Sequence, residues 1–461
     1  MNTSTTSVVA RLESVIGAAH VNGDAEFCER YAVDGIVPSA VVKPTSAVEV
    51  AEIVGYAKSH NLALIPCGSC TKLGVGMPPT RYDFALDMTG LNQIAYYDPS
   101  DLTLSVDAGM HVAQLADVLG KQNQFVPLAV PFLTECTVGG TIASGIGSAL
   151  RHSYGSARDF LLGAEFVNGT GALTKSGGRV VKNVTGYDLH KLLIGSLGTL
   201  AVVTRLNFRT FPSPPGYGHL VIAFSSVEAI VRFQTLVAKS PLTPTSFEIL
   251  GPEVAQGAAE FKADGDSPLP SWFTRGLWHV YVAFEGTEAI LRRYSSDLVQ
   301  YAQQSGASNC NLLDEPENKV VRSGLREILG FLVRSSAAAT IFRINVLPVF
   351  PADVLRLRVL AERRSIQCTF VASGSGLLYF VLQPDTVDDG TIASLVAAAS
   401  GVFEFAASHG GQASILFCPT ELKHRINIWG PAREDTDLMR RLKIAFDPHN
   451  IFAPGRFVAG I

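Results

Sequence analysis

The sequence contains little charge and no marked excess of either sign. Only 17% of its 461 residues are charged, and the formal net charge is −4. A surface that binds nucleic acid normally carries a cluster of Lys and Arg, so this composition argues against a nucleic-acid partner. Apolar residues account for 47% of the chain, which is typical of a folded protein with a large core and not of a disordered one.

Long hydrophobic runs are also missing. No window reaches the roughly 18 uninterrupted apolar residues that a membrane-spanning helix needs. Residues 1–20 lack the basic start and apolar core of a secretory signal. The nearest candidate span, residues 392–411, is rich in small side chains and contains Glu404, so we interpret it as a buried helix.

The seven cysteines are an odd number and are scattered along the chain. This is unlike a secreted disulfide framework, so we expect a reducing, cytoplasmic compartment. Cys67 and Cys70 have the spacing of a redox dithiol, which needs its first cysteine at the start of a helix. The residues that follow, TKLGVGMPPT, run into glycine and proline instead. We therefore interpret the pair as small side chains within a glycine-rich loop.

Two common phosphate-binding motifs are absent as well. No G-x-G-x-x-G opens a helix with an acidic residue following, and no G-x-x-x-x-G-K-[ST] occurs, which argues against a Rossmann dinucleotide site and a P-loop. The loop at 67–76 nevertheless follows an apolar run, and such a loop can direct its backbone N–H groups toward a pyrophosphate. Taken alone, the same pattern also fits an ordinary turn.

Alternating strand and helix patterns divide the chain into parts. A β-α-β pattern over residues 41–65 opens a strand-rich first part, and the Asn-Gly pair at 168–169 predicts a hairpin turn. The proline-rich stretch 212–216 is the best linker candidate. Beyond it, two rounds of strand and helix predict an antiparallel sheet backed by helices on one face. The tail is predicted to be a helix that ends at the Asp-Pro pair 447–448.

Five segments taken together carry a family resemblance. In chain order they are PCGSCTKLGVG, TECTVGGTIAS, RHSYG, GGRVVKNVTGYDLHKLLIGSLGTLAVVT and FDPHNIFAPGRF. With them the chain resembles the FAD-binding proteins of the vanillyl-alcohol oxidase superfamily, and among these the FAD-binding subunits of bacterial glycolate oxidases. The resemblance implies an α+β fold: a PCMH-type FAD-binding domain of two α/β subdomains, plus an inserted cap domain whose antiparallel sheet is backed by helices. The implied limits are 1–212 for the FAD domain, 213–425 for the cap or substrate domain and 426–461 for a C-terminal return to the FAD domain.

The resemblance also implies which residues bind FAD. A first loop would surround the pyrophosphate, a second segment would form the opposite wall, a third would lie toward the isoalloxazine, and one residue would cover the adenine. The first loop consists of Cys67, Gly68, Ser69, Cys70 and Thr71, and the opposite wall of Thr137, Gly139, Gly140 and Ser144, with Tyr154 and Gly155 nearby. The segment toward the isoalloxazine consists of Lys182, Asn183, Gly186, Tyr187 and Asp188, and Val203 would cover the adenine. A turn with satisfied polar groups is the alternative for the third segment.

Two departures from the family pattern matter. Many relatives attach the flavin through a histidine in the first loop, which is missing here, and Cys136 lies one place nearer the following threonine than a cysteine attachment expects. We therefore predict non-covalent FAD, with Cys136 as a small buried residue. The H-x-G-D-G-N motif of related cap domains is also missing, since its nearest counterpart, SHGGQASILF, contains His409 but no Asp or Asn. No metal site is expected.

Candidate catalytic residues come from two cap strands. Alternation places Arg343 and Asn345 on one sheet face, and likewise His279 and Tyr281. These four could line a cavity over the flavin, with the arginine pairing a substrate carboxylate, or they could lie on a solvent-facing side of the sheet.

The expected function is that of an FAD-dependent oxidoreductase acting on the CH–OH group of a 2-hydroxy acid. The resemblance implies a complex with a large catalytic flavoprotein subunit and an iron–sulfur subunit, at the inner face of the cytoplasmic membrane. One close cysteine pair cannot supply the four thiolates of a cluster, so a cluster would belong to another chain. The alternatives are a self-sufficient oxidoreductase of another alcohol or hydroxy acid, a mainly structural flavin-bearing subunit, and a flavin-free binding protein.

Overall fold

The computed structural model describes residues 3–128, 130–147, 149–179, 186–254, 273–336, 338–347 and 350–461. The α-helices with defined bounds are α1 (Thr3–Ile16), α2 (Ala25–Glu29), α3 (Ala47–Ser59), α4 (Val112–Gly120), α5 (Val138–Ser144), α6 (Arg151–Tyr154), α7 (Ala157–Phe160), α8 (Val227–Lys239), α9 (Glu288–Gln304), α10 (Glu315–Ser335), α11 (Leu355–Glu362), α12 (Asp389–Ser408), α13 (Thr420–Lys423) and α14 (Thr436–Phe446). Short 3₁₀ helices span Ala18–His20, Met88–Gly90, Leu189–Leu192 and Val458–Gly460.

The strands belong to three larger sheets and one short pair. They are β1 (Val21–Asn22), β2 (Ala40–Val42), β3 (Leu64–Cys67), β4 (Phe84–Asp87), β5 (Ile94–Asp98), β6 (Thr103–Asp107), β7 (Gln124–Phe125), β8 (Leu161–Asn168), β9 (Leu173–Gly177), β10 (Ala201–Arg209), β11 (Phe211–Pro212), β12 (Tyr217–Phe224), β13 (Ser246–Leu250), β14 (Trp278–Glu285), β15 (Asn309–Leu312), β16 (Thr340–Asn345), β17 (Gln367–Ser373), β18 (Leu377–Gln383) and β19 (Gln412–Phe417). Strands β7 and β11 form the short pair.

Two sheets build the first part of the chain. The first has the order β1-β2-β4-β3, and β2 and β3 both run parallel to β4. Helix α3 connects β2 to β3; Ser46 caps its N-terminus by accepting from the backbone N–H of Glu49, and it buries Val50, Ile53 and Val54. The second sheet has the order β5-β6-β10-β8-β9. The predicted β-α-β unit and the hairpin after Asn168 are therefore confirmed.

The cap sheet has eight antiparallel strands in the order β15-β12-β14-β13-β17-β18-β16-β19. One face packs against α8, α9, α11 and α12 around buried side chains such as Phe224, Phe233 and Phe380. The predicted antiparallel sheet backed by helices is therefore confirmed. Helix α12 is long and apolar enough to cross a membrane by length and composition, with 39% of that window buried; its Leu395 and Val402 pack into this core.

The opposite face of the cap sheet is also buried. Its Ile341, Val371 and Val381 belong to the same apolar core as Leu104 and Phe166 of the second sheet. A solvent-facing position, the alternative considered above, therefore does not hold for His279 and Tyr281, which are 1% and 4% exposed, whereas Asn345 is exposed. This face and the first part of the chain enclose the cavities described below.

The tail returns to the first sheet. Leu64 in β3 donates to the carbonyl of Ile451 at 2.8 Å and accepts from Ala453 at 2.8 Å. Lys443 in α14 forms a buried ion pair with Asp447 at 2.8 Å and donates to the carbonyl of Thr199 at 2.8 Å. These contacts place residues 451–456 alongside the loop that follows β3.

Candidate functional site

The loop after β3 forms one wall of a narrow cleft. Cys70 adopts a left-handed backbone (φ 59°), and the backbone N–H groups of Ser69, Cys70 and Thr71 have no acceptor within the described part of the chain. The side-chain hydroxyl of Ser69 is buried and likewise lacks a partner there. Several hydrogen-bond donors are therefore available where the resemblance expects a pyrophosphate.

The opposite wall begins at the start of α5. The Thr137 hydroxyl accepts from the backbone N–H of Gly140 at 3.2 Å, and a Cβ on Gly68 would lie 2.2 Å from that hydroxyl oxygen. Only glycine lets the two walls approach this closely. The residues lining the cleft are Ile65, Pro66, Cys67, Gly68, Ser69, Cys70, Thr71, Lys72, Leu73, Val75, Thr137, Gly140, Ala143, Ser144, Leu197 and Arg456.

A second cleft adjoins the first and shares Gly68, Thr137 and Gly140 with it. Gly139 and Val203, the latter predicted to cover the adenine, line this second cleft together with Met88, Ala108, Ser196 and Ala201. The structure thus brings together the first-loop residues, the second-wall residues and Val203 along one continuous surface.

The two thiols of the first loop are poor candidates for redox chemistry. Interaction with the Cys70 side chain and burial together raise the pKa of the Cys67 thiol well above its ordinary value. A reactive thiol needs a stabilised thiolate. Cys136 is fully buried, burial raises its pKa, and it lies outside the residues that line the two clefts. Non-covalent FAD stays a prediction.

Arg456 is a cleft residue that sequence reasoning missed. It is 2% exposed, and its Nη2 donates to the carbonyls of Leu73 and Val75. Its Nε and Nη1 are buried with no partner in the described part of the chain. None of the lining residues is acidic. These donors fit the diphosphate of FAD. The available signal was the basic residue in APGRF, within a tail expected to return to the FAD domain.

Other predicted FAD residues lie elsewhere. Tyr154 donates to Glu285 of the cap sheet at 2.7 Å, and Gly155 follows it at the end of α6. Tyr187 is 90% exposed, and Asp188 pairs with Lys191 at 3.0 Å. Five of the predicted residues line neither cleft: Tyr154, Gly155, Gly186, Tyr187 and Asp188. Lys182 and Asn183 lie outside the described residues.

A larger cavity lies between the cap sheet and a segment that contributes Gly147, Ala149 and Leu150, and we call it the cap cavity. Glu248 of β13 contributes a 7% exposed carboxyl whose Oε1 has no partner among the described residues. Burial raises the pKa of Glu248 to about 8, against weaker opposing hydrogen bonds from Ser373 and Ser246. The lining residues are Pro131, Gly147, Ala149, Leu150, Tyr217, His219, Thr245, Ser246, Glu248, Tyr281, Ala283, Glu285, Arg322, Leu325, Arg326, Ile328, Leu329, Val371, Ser373, Leu377 and Tyr379.

The cap cavity gathers its polar groups from several elements. The sheet register sets Tyr281 of β14 opposite Glu248, Tyr379 comes from β18, and Arg322 comes from α10. Burial raises the pKa of Tyr379 to about 12, and its hydroxyl has no partner among the described residues. His219 is held neutral, because burial lowers its pKa to about 3. The cavity therefore combines two arginines, Arg322 and Arg326, with three tyrosines and two carboxyl groups, of which Glu248 is the more deeply buried.

The four predicted catalytic residues are not brought together. His279 and Tyr281 share a sheet face as predicted, but only Tyr281 lines the cap cavity. His279 is 1% exposed, stacks on Phe273 at 5.2 Å and accepts from the Thr274 N–H at 3.1 Å. This bonding and a pKa that burial lowers to about 4 fit a packing role, and His279 is not among the residues that line the cap cavity.

Arg343 and Asn345 line a neighbouring cavity that shares Val75, Ser144 and Leu197 with the first cleft. Arg343 donates to the Gly145 carbonyl at 3.3 Å, and its Nε is buried without a partner in the described part of the chain. Tyr379 lies directly opposite Arg343 across the strand pair. The arginine therefore stands next to the cap cavity but does not line it. Glu248, Arg322 and Tyr379 are the cavity residues that sequence reasoning missed.

Comparison with known proteins agrees with this geometry. Residues 38–177 match the family described as FAD binding domain, and residues 431–457 match the C-terminal domain of FAD linked oxidases. The solved structure of p-cresol methylhydroxylase with substrate bound superposes with a TM-score of 0.77 at 18% sequence identity, covering 99% of this chain and 97% of that one. The predicted PCMH-type fold and the FAD cofactor are therefore confirmed.

Two relatives match different lengths of the chain. Glycolate oxidase subunit GlcD of Bacillus subtilis is 26% identical over 440 residues, which cover 92% of this chain and 89% of that protein. Glycolate oxidase subunit GlcE of Escherichia coli is 35% identical over 164 residues, which cover 35% of this chain and 46% of that protein. The similarity thus extends through the cap for the first relative and is confined to a shorter region for the second.

Proposed function

We propose that this chain, which matches the FAD binding domain family over residues 38–177 and the C-terminal domain of FAD linked oxidases over residues 431–457, oxidises a 2-hydroxy acid to the corresponding 2-oxo acid. The observation that carries the proposal is the cap cavity, which Arg322, Glu248 and Tyr379 line together. Similarity to a glycolate oxidase subunit over 92% of the chain supports this substrate class.

The substrate carboxylate is bound by a cap-side arginine. A guanidinium can pair with both carboxylate oxygens at once, which fixes orientation as well as charge. Arg322 is in the cavity wall, whereas Arg343 lies beside Tyr379 on the neighbouring strand, and its Nε has no partner among the described residues. Arg326 also lines the cavity but pairs with Glu327 at 3.3 Å, so Arg322 is the primary candidate and Arg343 the second.

The substrate hydroxyl must lose its proton as the carbon is oxidised. Glu248 is suited to accept it at Oε1, because a carboxyl with a pKa of about 8 can exchange a proton near neutral pH. The Tyr379 hydroxyl holds the substrate oxygen by a hydrogen bond, and the apolar side chains of Leu325 and Leu329 exclude water. FAD, when bound, supplies the two-electron acceptor.

The electrons then leave through partner proteins. We propose a complex with a second flavoprotein subunit and an iron–sulfur subunit, in the cytoplasm at the inner face of the membrane, with FAD held non-covalently. Similarity to two glycolate oxidase subunits supports an assembly of this kind. A second candidate function, a relay subunit that receives electrons from a catalytic partner, is favoured by the higher identity to GlcE over 164 residues and by the missing H-x-G-D-G-N motif.

Anaerobic flavin reduction tests the proposal. The purified chain, with its FAD content counted, is mixed with glycolate, D-lactate or D-2-hydroxyglutarate, and the visible absorbance of the oxidised flavin is followed. Bleaching by at least one acid is expected. Reduction that occurs only after a partner is added supports the relay function. A flavin that no 2-hydroxy acid reduces, with or without partners, contradicts both.

A further inference from the structure

Arg456 contributes a buried guanidinium whose bonding is incomplete. Nη2 is committed to the carbonyls of Leu73 and Val75, so the side chain is fixed against the first loop. Nε and Nη1 are buried without partners in the described residues. Leaving such charged donors unpaired is costly, which indicates that an acceptor belongs beside them.

Backbone contacts fix the position of residues 454–456 in the cleft wall. The Arg456 carbonyl accepts from Met77 at 2.9 Å, and the Pro454 carbonyl accepts from Thr80 at 2.9 Å. Gly455 has φ +87°, and a Cβ there would lie 2.6 Å from the Thr80 side chain. Backbone contacts of the tail therefore position Arg456 beside the first loop, and these contacts do not involve the guanidinium.

Charge balance in the cleft points to a dianion. Lys72 is the other basic residue in the lining, and no lining residue is acidic. Burial lowers the pKa of Arg456 to about 10 and lowers the pKa of Lys72, and this effect exceeds the opposing attraction of Asp34 for Arg456 and of Glu327 for Lys72. Two such cations match the two negative charges of a pyrophosphate.

We propose that Arg456 binds the pyrophosphate of FAD through Nε and Nη1, so that the C-terminal tail supplies a direct ligand to a site otherwise built from the first part of the chain. Lys72, in the middle of the same loop, provides the second positive charge. The inference rests on the FAD-binding fold and not on which substrate is oxidised, so it can fail while hydroxy-acid oxidation stands.

Binding of ADP and adenosine to the FAD-depleted full chain tests the proposal. ADP carries the pyrophosphate and the adenine, whereas adenosine carries only the adenine and ribose. For Arg456→Gln, calorimetric titration should show ADP and FAD binding weakened about 10- to 100-fold, the range for lost hydrogen bonds to a charged group, with adenosine affinity unchanged. Arg456→Lys keeps the cation and should weaken ADP binding by less.

A purely structural role predicts a different pattern. If Arg456 only braces Leu73 and Val75, adenosine, ADP and FAD should all weaken by the same factor, and that result would overturn the proposal. Unchanged ADP affinity in Arg456→Gln would overturn it too. Arg440→Gln is the matched control, since Arg440 pairs with Asp437 on the exposed side of α14 and should alter none of the three affinities. If Arg456→Gln does not fold, the affinities of Arg456→Lys for ADP and for adenosine are compared instead. Weaker binding of ADP with unchanged binding of adenosine supports the proposal, and any other pattern overturns it.

Discussion

Lys423 and Asp34 form an ion pair that is buried on both sides. The ammonium donates to the two carboxylate oxygens at 2.7 and 2.9 Å, and the side chains are 1% and 5% exposed. Lys423 also donates to the carbonyl of Gly74 in the first loop at 2.8 Å. One lysine at the end of the cap region therefore links the N-terminal segment, the cap and the FAD cleft.

Replacing Lys423 by Met should destabilise the fold and weaken FAD binding. Removing one partner of a buried pair costs about 3–5 kcal/mol because the other charge stays buried, so we expect a matching loss in the free energy of unfolding measured in urea. Arg425→Gln is the control, since its pair with Asp389 is 62% and 94% exposed and should contribute less than about 1 kcal/mol. Equal, small losses in the two variants would show that the buried pair does not hold these parts together.

Gly68→Val should empty the FAD site. Its side chain would meet the Thr137 hydroxyl that caps α5, so the two cleft walls must separate. Replacing Cys67 and Cys70 together by Ser should leave flavin content nearly unchanged, because the loop offers its backbone N–H groups and not its thiols. Flavin absorbance per protein after gel filtration measures both. If the double Ser variant kept its FAD and lost all redox function, the packing role of the thiols would be wrong.

The sequence predicted those parts of the site that local pattern determines. The first loop and the wall at Thr137 each depend on glycines within a few residues of one another, so their segments could be recognised before the fold was known. The antiparallel cap sheet followed from alternation in the same way. The Tyr187 region was assigned by resemblance alone, and its 90% exposed tyrosine lies on neither cleft.

The cap cavity could not be predicted because tertiary structure assembles it. Glu248 is a single carboxyl in a short apolar strand, and Arg322 lies on a helix with several charged neighbours. Neither pattern distinguishes a site residue from an ordinary one. Only the strand order and the packing of α10 bring them together with Tyr379. Arg343 and Tyr281 illustrate the same limit: alternation gave each the correct sheet face, but not which cavity that face lines.

The two candidate cations for the substrate carboxylate can be separated. Arg322→Gln should weaken the binding of a 2-hydroxy acid about 10- to 100-fold, the effect of losing a charge-assisted pair, whereas Arg343→Gln should have a smaller effect because Arg343 does not line the cap cavity. Dissociation constants from stopped-flow flavin reduction at varied substrate concentration check this. A larger loss for Arg343→Gln would move the carboxylate site to the neighbouring cavity.

Glu248 should make stability depend on pH. Its pKa is raised from an ordinary 4.5 to about 8 in the folded chain, so between these values the folded state binds more protons than the unfolded state. The free energy of unfolding contributed by this group therefore falls as pH rises from about 5 to 8, by at most about 1.4 kcal/mol per pH unit. Urea unfolding at pH 5.5 and 8 should show a smaller decrease for Glu248→Gln than for the wild-type chain. The same decrease in both would contradict the raised pKa.

Flavin reduction by substrate should follow the ionisation of Glu248. If Glu248 accepts the hydroxyl proton, the reduction rate should increase with pH and level off above about 8, the pKa of its carboxyl. Burial keeps His219 neutral, with a pKa of about 3, and raises the pKa of Tyr379 to about 12, so neither titrates in this range. Burial also raises the pKa of Glu285, so a variant of Glu285 is needed to show which carboxyl causes the pH dependence.

Glu285→Gln is the matched control, because Glu285 lines the same cavity but its carboxyl is engaged by Tyr154 at 2.7 Å. Glu248→Gln should slow reduction about 100-fold or more, within the range for loss of a general base, and remove the pH dependence, with substrate affinity retained. Glu248→Asp should recover part of the rate with the pH dependence intact, which a merely structural role would not produce. A pH profile that persists in Glu248→Gln and disappears in Glu285→Gln would transfer the proton-accepting role to Glu285.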